Sequence, residues 1–339
     1  MITSLFGRKR RPAEETTRLT GPDTAAATAG LQGVVALSDG ATSQLSEEDY
    51  TVPPDLQGAT GVVHPLELVS AQAREDEAEA LQRVARVHGP QERKALILAL
   101  ILTPRSHREK TAWREETAPL AGAEDLRADA RSLTRLTRLP VLERLLRETA
   151  TAPIEERREL LAAARRVMSA DGHVRALDRL HWLAMRHLLG DGAAKGTMTP
   201  AGVRESDLAN LSDPVRREAA AYTAFLARMV PASDESVLVT AAGSAWHQRV
   251  VAQMWPGGDA PACQVPDTDR LVAALRAVQQ MSWMLRPLLM RTWVSQAEAL
   301  SVGATLGAEA AEALRLTCVL LDVPLPPALA ACFTELASA

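Results

Sequence analysis

The chain has 339 residues, of which 47% are hydrophobic and only 3% aromatic. The core must therefore be built largely from Leu, Ala and Val, and the scarcity of the residues that sheets prefer predicts an all-α fold. A formal net charge of −4 gives no overall attraction to nucleic acid or anionic lipid, and three cysteines without a CxxC motif argue against a disulfide framework. We expect a cytoplasmic protein without a cofactor.

The first predicted region is a disordered tail over residues 1–58. Residues 8–58 are rich in Thr, Ala, Gly, Ser and Pro and show no sustained period, so they cannot bury enough apolar surface to offset the entropy of ordering. The basic run RKRR at 8–11 is interpreted as a solvated tag. Contact with an anionic membrane or with a partner is the alternative.

Helical patterns then predict an N-terminal helical stack over residues 59–150. Pro65 lies in the first turn of one predicted helix, Pro90 begins the next, and Pro140 is predicted to begin the last. The joints are tight, which favours antiparallel helical hairpins. The most apolar run, ALILALIL at 95–102, is far shorter than the ~20 residues that a membrane-spanning helix needs, so no transmembrane segment is expected.

Two helices around an Asp-Gly pair form the next predicted unit, residues 151–195. Gly172 suits a left-handed C-terminal cap, and Asp171 is expected to accept amide protons from the first turn of the second helix. Asp178, early in that helix, complements its positive end. The buried stripe of the first helix is predicted to hold Leu160, Leu161, Ala164, Val167 and Met168. The stretch that follows Gly190 is predicted to be a flexible loop.

A helical connector is predicted over residues 196–266 and a second, degenerate unit over 267–339. Asp213 is expected to cap a helix whose first turn contains Pro214. A shift of 131 residues lays ELLAAARRVMSADGHVRALDRL over MRTWVSQAEALSVGATLGAEAA, so that Gly172 meets Gly303. Two glycine corners, each followed six residues later by a carboxylate, indicate duplicated helical hairpins.

The segment ADGHVRALD, between two Leu-rich helices, resembles the tellurite-resistance TerB-like module. A second resemblance covers residues 60–335 in collinear order. There the chain is similar to the C-terminal region of bacterial membrane zinc metallopeptidases of the HtpX type, which ends in a LD-x-P-x-PP tail, here LDVPLPP. The resemblance implies two TerB-like units in one helical array. The transmembrane helices and the H-E-x-x-H zinc helix of those peptidases have no counterpart in this sequence, and Val302 replaces the Asp of a second Asp-Gly turn.

Catalytic and metal-binding interpretations were weighed against these patterns. Zinc hydrolysis needs two imidazoles one helical turn apart, but His181 and His187 are six residues apart on their helix, so a peptidase is excluded and no enzyme is expected. Asp171 and Asp178 are weak candidates for a divalent cation, because calcium usually takes six to eight oxygen ligands. A structural corner is the preferred interpretation of this turn.

A soluble, non-catalytic interaction or regulatory scaffold is the predicted function. The resemblance implies a protein partner in a bacterial multi-protein assembly, with a membrane peptidase as one candidate; no nucleic acid partner is expected. The alternative is a metal-responsive stress protein of the tellurite-resistance type that binds a divalent cation at the Asp171 turn. The predicted partner surface comprises Trp246, Trp255, Pro324, Pro326 and Pro327. Tryptophans are more often core anchors, and the preferred interpretation of the VPLPPA segment is that it ends a helix and packs the C-terminus down, with docking in an aromatic groove as polyproline II as the alternative.

Overall fold

The computed structural model describes residues 65–190, 207–234, 237–301, 303 and 305–334. In these residues the chain forms thirteen α-helices and a short 3₁₀ helix and contains no strand, which confirms the predicted all-α fold. The predicted tail over 1–58 and the loop predicted after Gly190 lie outside the described residues. No helix of the described ranges is both long enough and apolar enough to cross a membrane.

The first seven helices follow one another through short connections. The first seven are α1 (Pro65–Ala85), α2 (Pro90–Leu100), α3 (His107–Thr117), α4 (Ala123–Ser132), α5 (Arg135–Thr149), α6 (Ile154–Met168) and α7 (Ala176–Leu189). After the 3₁₀ helix (Leu208–Asn210) come α8 (Asp213–Leu226), α9 (Ala241–Met254), α10 (Thr268–Gln279), α11 (Leu285–Glu298), α12 (Ala308–Leu321) and α13 (Pro327–Ala330). From Ser70 onward the described residues belong to one compact unit.

Two helices, α2 and α12, lie at the centre of the packing. Residues 95–101 of the apolar run in and just after α2 are all buried, because the helix is surrounded by α3, α4, α5 and α6. In α12 every residue from 310 to 318 is buried, and the helix contacts α5, α7, α10, α11 and α13. A helix with apolar side chains on most of its faces must be enclosed in this way, and the charged Glu312 and Arg315 of α12 are buried with it.

The internal repeat is visible in the packing as well as in the sequence. Helices α5, α6 and α7 recur as α10, α11 and α12, with bounds that agree within two residues after the shift of 131. The same pairs also pack: α2 on α3 and α5, α3 on α6, and α5 and α6 on α7 correspond to α8 on α9 and α10, α9 on α11, and α10 and α11 on α12. We call α2–α7 the first repeat and α8–α12 the second repeat.

The correspondence includes the glycine corners and extends further than the pattern in the sequence. Gly172 and Gly303 both have positive φ, +80° and +69°. The matching packing takes in α8 and α9, which lie in the predicted connector. Helices α7 and α12 occupy equivalent positions in the two repeats and pack on each other. The predicted domain boundaries stay a prediction.

Two predicted helix starts are wrong. Pro140 lies inside α5 and does not begin a helix. A proline at this position removes one backbone N–H donor from the helix. Leu139 and Val141 on either side are buried and hold the helix against the core. Asp213 is the first residue of α8 and does not cap it, since Ser212 is the N-cap residue and the Asp213 carboxylate pairs with Arg216 one turn later.

Candidate functional site

The Asp171-Gly172 pair shapes the turn between α6 and α7. Gly172 has the left-handed conformation predicted for it, but it lies three residues beyond the C-cap of α6 and therefore does not cap that helix. Asp171 Oδ1 accepts a hydrogen bond from the backbone N–H of His173 at 2.9 Å, and its Oδ2 accepts one from Ser106 Oγ at 3.4 Å. The prediction that Asp171 accepts amide protons from the next helix is wrong, because its bonds end at His173 and α7 begins at Ala176.

Asp178 is the acidic residue that closes the N-terminus of α7. Its Oδ2 accepts a hydrogen bond from the backbone N–H of Arg175 at 2.9 Å and lies 3.4 Å from Arg175 Nε. The carboxylate is buried in the first turn, where the helix leaves amide donors unpaired. Asp178 thus complements the positive end of the helix, the role predicted for it.

A third carboxylate, Glu109 of α3, lies near these two and was not singled out from the sequence. It is only 2% exposed and accepts hydrogen bonds from the Thr103 backbone N–H at 2.6 Å and from Thr103 Oγ1 at 2.8 Å. Burial raises the pKa of Glu109, the bonds from Thr103 oppose that rise, and the charges of Asp178 and Asp171 add to it. The turn therefore gathers three acidic groups from two distant parts of the sequence.

The carboxylates of this acidic group are already hydrogen-bonded to the protein. A calcium site needs several carboxylate or carbonyl oxygens turned toward one point. Here Asp171, Asp178 and Glu109 already accept hydrogen bonds from the protein, at the amides of His173, Arg175 and Thr103 and at nearby side chains. Throughout the part of the chain that the structure describes, no group of three or more His, Cys, Asp or Glu residues has the arrangement needed to hold a metal ion.

The two histidines of α7 contact different acidic residues. His181 is buried and its Nε2 lies 3.1 Å from Glu312 Oε1, while Arg135 Nε lies 3.2 Å from the other oxygen of that carboxylate. His187 is in the last turn of α7, with Nε2 2.9 Å from Asp322 Oδ1. Each imidazole therefore ties α7 to α12 or to the residue that follows α12.

A buried ion pair joins α5 to α12 beside these contacts. Arg315 donates through Nε to Glu143 Oε1 at 2.8 Å and through Nη2 to Oε2 at 3.1 Å, and both side chains are almost fully buried. Arg147 also contacts this carboxylate, at 3.1 Å, from one turn further along α5. The ring of Phe333 lies against the guanidinium of Arg315, with 4.6 Å from its centroid to Cζ. This planar, two-bonded geometry ties the two repeats together.

The structure divides the predicted partner surface. Trp246 is fully buried and donates through Nε1 to the carbonyl of Trp293 at 3.0 Å, so its assignment to a partner surface is wrong: it joins α9 to α11 in the core. Trp255 is half-buried, with the guanidinium of Arg216 stacked 5.1 Å from its ring centroid. Trp246 is therefore closed to a partner, and part of the Trp255 ring is covered by Arg216.

The prolines after α12 are more accessible. Pro324 and Pro327 are exposed, whereas Pro326 between them is buried and Leu325 packs against the core. The segment follows Asp322, whose left-handed backbone ends α12 and whose carboxylate is bonded to α7. These contacts hold Val323–Pro327 in one place on the surface.

The largest exposed apolar side chains elsewhere are Trp283 and Met284. They lie in the turn between α10 and α11, with 64% and 55% of their surface exposed. The exposure of Trp283 was not predicted from the sequence, because tryptophans are more often core anchors. The other five tryptophans are buried or half-buried: Trp113, Trp182, Trp246, Trp255 and Trp293.

Comparisons with protein-family models, with curated proteins and with solved structures find no match. The resemblance to the TerB-like module and to the C-terminal region of the HtpX-type peptidases therefore depends only on the residues quoted above.

Proposed function

We propose that this chain is a non-catalytic protein-interaction module that docks a protein partner on the Val323–Pro327 segment. The observation that carries the proposal is the pair of exposed prolines, Pro324 and Pro327, on a segment that the fold holds rigid. In this proposal Trp246 anchors the core and does not contact the partner.

The segment is ordered before it meets a partner. The N–H of Val323 donates to the carbonyl of Cys318 at 3.1 Å, and Asp322 is bonded to His187 of α7. Pro326 has φ of −58° and ψ of 143°, values close to polyproline II. The extended backbone ends at Pro326, because Pro327 is the first residue of α13. A segment that is ordered in advance loses little conformational entropy on binding, and aromatic grooves of partner proteins recognise prolines in the polyproline II form.

The use of the buried charged groups supports a structural module. Glu143 with Arg315 and His181 with Glu312 are engaged with each other across helices of the two repeats. Groups that form such pairs fix the relative position of the helices. They do not converge on one reacting atom, as a general acid, base and nucleophile would.

The class of partner comes from the resemblance. The chain is similar to the C-terminal region of membrane peptidases, and these 339 residues contain no H-E-x-x-H motif, so we infer an interaction module in a bacterial multi-protein assembly. A membrane peptidase is one candidate for this partner. This part of the proposal has fold-level support alone.

Site-specific photo-crosslinking in the native cell tests the proposal. A photoreactive residue at Pro324 is expected to give a discrete adduct with one other protein. The matched control is Pro153, which is also exposed but precedes α6 in the first repeat. Adducts at both positions, or at neither, would refute a docking site at Val323–Pro327.

A further inference from the structure

The turn between α10 and α11 presents two large apolar side chains to solvent although its neighbours are tightly held. Met281 and Leu285, on either side of Trp283 and Met284, are buried. The backbone N–H of Leu285 donates to the carbonyl of Ser282 at 3.0 Å, which closes the turn. The exposure is therefore imposed by the fold, because buried residues fix the turn from both sides.

Both ends of the turn are also fastened to the end of α12. Gln279 Nε2 donates to the carbonyl of Leu320 at 2.8 Å, and Arg286 Nη1 donates to the carbonyl of Leu321. Trp283 and Met284 lie between these two anchors in the sequence. Exposed apolar groups on a firmly held turn are typical of a binding surface.

The chain segments on either side of this turn carry only positive charges. Residues 270–297 contain four arginines and no Asp or Glu, in a chain whose net charge is −4. Arg270 pairs with Glu218 at 3.0 Å and Arg286 is bonded to the end of α12, while Arg276 and Arg291 are exposed. The acidic residue at this end of α12, Asp322, is bonded to His187.

We propose that the Trp283–Met284 turn binds the surface of an anionic lipid bilayer. The indole and the thioether would enter the interface between headgroups and acyl chains, where tryptophan is favoured, and Arg276 and Arg291 would face the headgroup phosphates. A second copy of the chain is a poorer occupant, since a twofold contact at this turn would bring the two arginine-only segments together. An anionic surface matches both the apolar tip and the charge.

This inference goes beyond the proposed protein-interaction function. The turn and the Val323–Pro327 segment both adjoin the end of α12, so a chain bound to a bilayer through the turn would hold that segment near the membrane surface. The two sites are separable by experiment, because crosslinking at Pro324 reports on the protein partner and vesicle binding reports on the turn.

The test is co-sedimentation of the full chain with vesicles of phosphatidylcholine alone and of phosphatidylcholine mixed with phosphatidylglycerol. The chain is expected to bind the mixed vesicles preferentially. Replacing both apolar residues, Trp283→Ser with Met284→Ser, is expected to weaken that binding at least roughly tenfold, because the inserted apolar surface is lost. The matched control is Val237→Ser with Leu238→Ser, which removes an exposed apolar pair of 48% and 60% exposure from another loop and is expected to bind like wild type.

A second pair of variants isolates the charge. Arg276→Gln with Arg291→Gln is expected to weaken binding to the mixed vesicles by roughly tenfold or more, since each arginine near the surface is attracted to the anionic headgroups. Arg131→Gln with Arg249→Gln removes two exposed arginines elsewhere and changes the net charge equally, so it controls for charge alone. Far-ultraviolet circular dichroism verifies that every variant keeps its helical fold.

A spectroscopic measurement keeps the proposal testable if a serine variant misfolds. Brominated lipid in the mixed vesicles is expected to quench part of the tryptophan fluorescence of the wild type, and Trp283→Phe is expected to lose that quenching while still binding. Equal binding to both kinds of vesicle, no binding, or binding unchanged in the Trp283 and Met284 variant would overturn the proposal. So would equal, Trp283-dependent binding to soluble polyglutamate, which would point to an acidic protein in place of lipid.

Discussion

His247 of α9 is a buried histidine whose ring has no role in any ion pair of the described residues. The side chain is 1% exposed, and neither ring nitrogen has a hydrogen bond of normal geometry. Burial lowers the pKa of His247, and the nearby carbonyl of Ala220 opposes that change only in part. The folded chain therefore holds this imidazole neutral.

Stability should depend on pH through this residue. Because the pKa of His247 is lowered from 6.5 on folding, the unfolded chain binds the proton more readily. The free energy of unfolding is expected to be fully present above pH 6.5 and to fall as the pH falls from there toward the pKa of the folded chain. His247→Leu should flatten that dependence in urea titrations, whereas His88→Leu, at an exposed histidine, should not. If the free energy of unfolding changed with pH in the same way in wild type and in His247→Leu, this role of His247 would be contradicted.

The pair of Glu143 and Arg315 should show the asymmetry of buried charges. Arg315→Met leaves the Glu143 carboxylate buried with Arg147 as its remaining partner, and we expect the free energy of unfolding to fall by about 3–5 kcal/mol. Adding Glu143→Leu to Arg315→Met should recover much of that loss, because no buried charge is then left unpaired. Chemical denaturation of the two single variants and the double variant measures the coupling energy between Glu143 and Arg315. If the two single losses in free energy of unfolding simply added in the double variant, the prediction would be contradicted.

The acidic turn gives a prediction about cations. Since the carboxylates of Asp171, Asp178 and Glu109 accept hydrogen bonds from the protein, calorimetric titration with Ca²⁺, Mg²⁺ or Zn²⁺ is expected to give no saturable heat at micromolar concentrations. Saturable binding that Asp171→Ala abolishes would instead establish the metal-responsive alternative.

At the scale of single residues, the sequence predicts local backbone features but not contacts between residues that are far apart in the chain. The left-handed backbone of Gly172 and the position of Asp178 follow from a few neighbouring residues. Glu143 and Arg315 are separated by 172 residues, and Glu109 approaches Asp171 only through the packing of α3 on α6. The exposure of Trp283 depends on the buried residues around it, so its residue type gave no signal.

Among the helices, the contact of α8 with α9 depends on one glycine. Gly243 lies in the first turn of α9, and a Cβ at this position would be 2.1 Å from the carbonyl oxygen of Ala227, directly after α8. Backbone atoms cannot move aside as a flexible side chain would. The glycine therefore allows the two helices to approach closely.

Gly243→Ala is expected to lower the free energy of unfolding by about 1–3 kcal/mol, the usual range for overpacking. Gly257→Ala is the control, because nothing lies within 4 Å of a Cβ at that position, and its effect should stay within about 0.5 kcal/mol. Thermal and urea unfolding of both variants provide the comparison. Equal free energies of unfolding for the two variants would show that α8 and α9 can move apart without destabilising the fold.

Helix boundaries were predictable where capping and apolar spacing agree. The helix α7 ends at Leu189, directly before Gly190, after which the sequence predicts a loop. Pro140 was misplaced because the burial of Leu139 and Val141 outweighs the loss of a single hydrogen bond. Asp213 was misplaced by one position, since Ser212 is the N-cap residue and the Asp213 carboxylate pairs with Arg216.

The whole molecule combines two similar sets of helices through α7 and α12. The sequence shows this duplication only around the two glycine corners, because the remaining positions of the repeats share little identity. The packing pattern preserves it over five pairs of helices. Duplicated packing with divergent sequence is expected when a core requires only apolar side chains of suitable volume.

The central functional claim is that a rigid segment at the end of α12 binds a protein partner. It is tested most directly by gel filtration of the chain from native-cell extracts. Two double variants are compared with wild type: one carries Pro324→Gly and Pro327→Gly, and the control carries Pro153→Gly and Pro256→Gly. All four prolines are exposed, and Pro153 and Pro327 both lie at the start of a helix. We predict that wild type and the Pro153 and Pro256 variant elute in a larger assembly, while the Pro324 and Pro327 variant elutes as the chain alone. Identical elution of the two variants would contradict the claim.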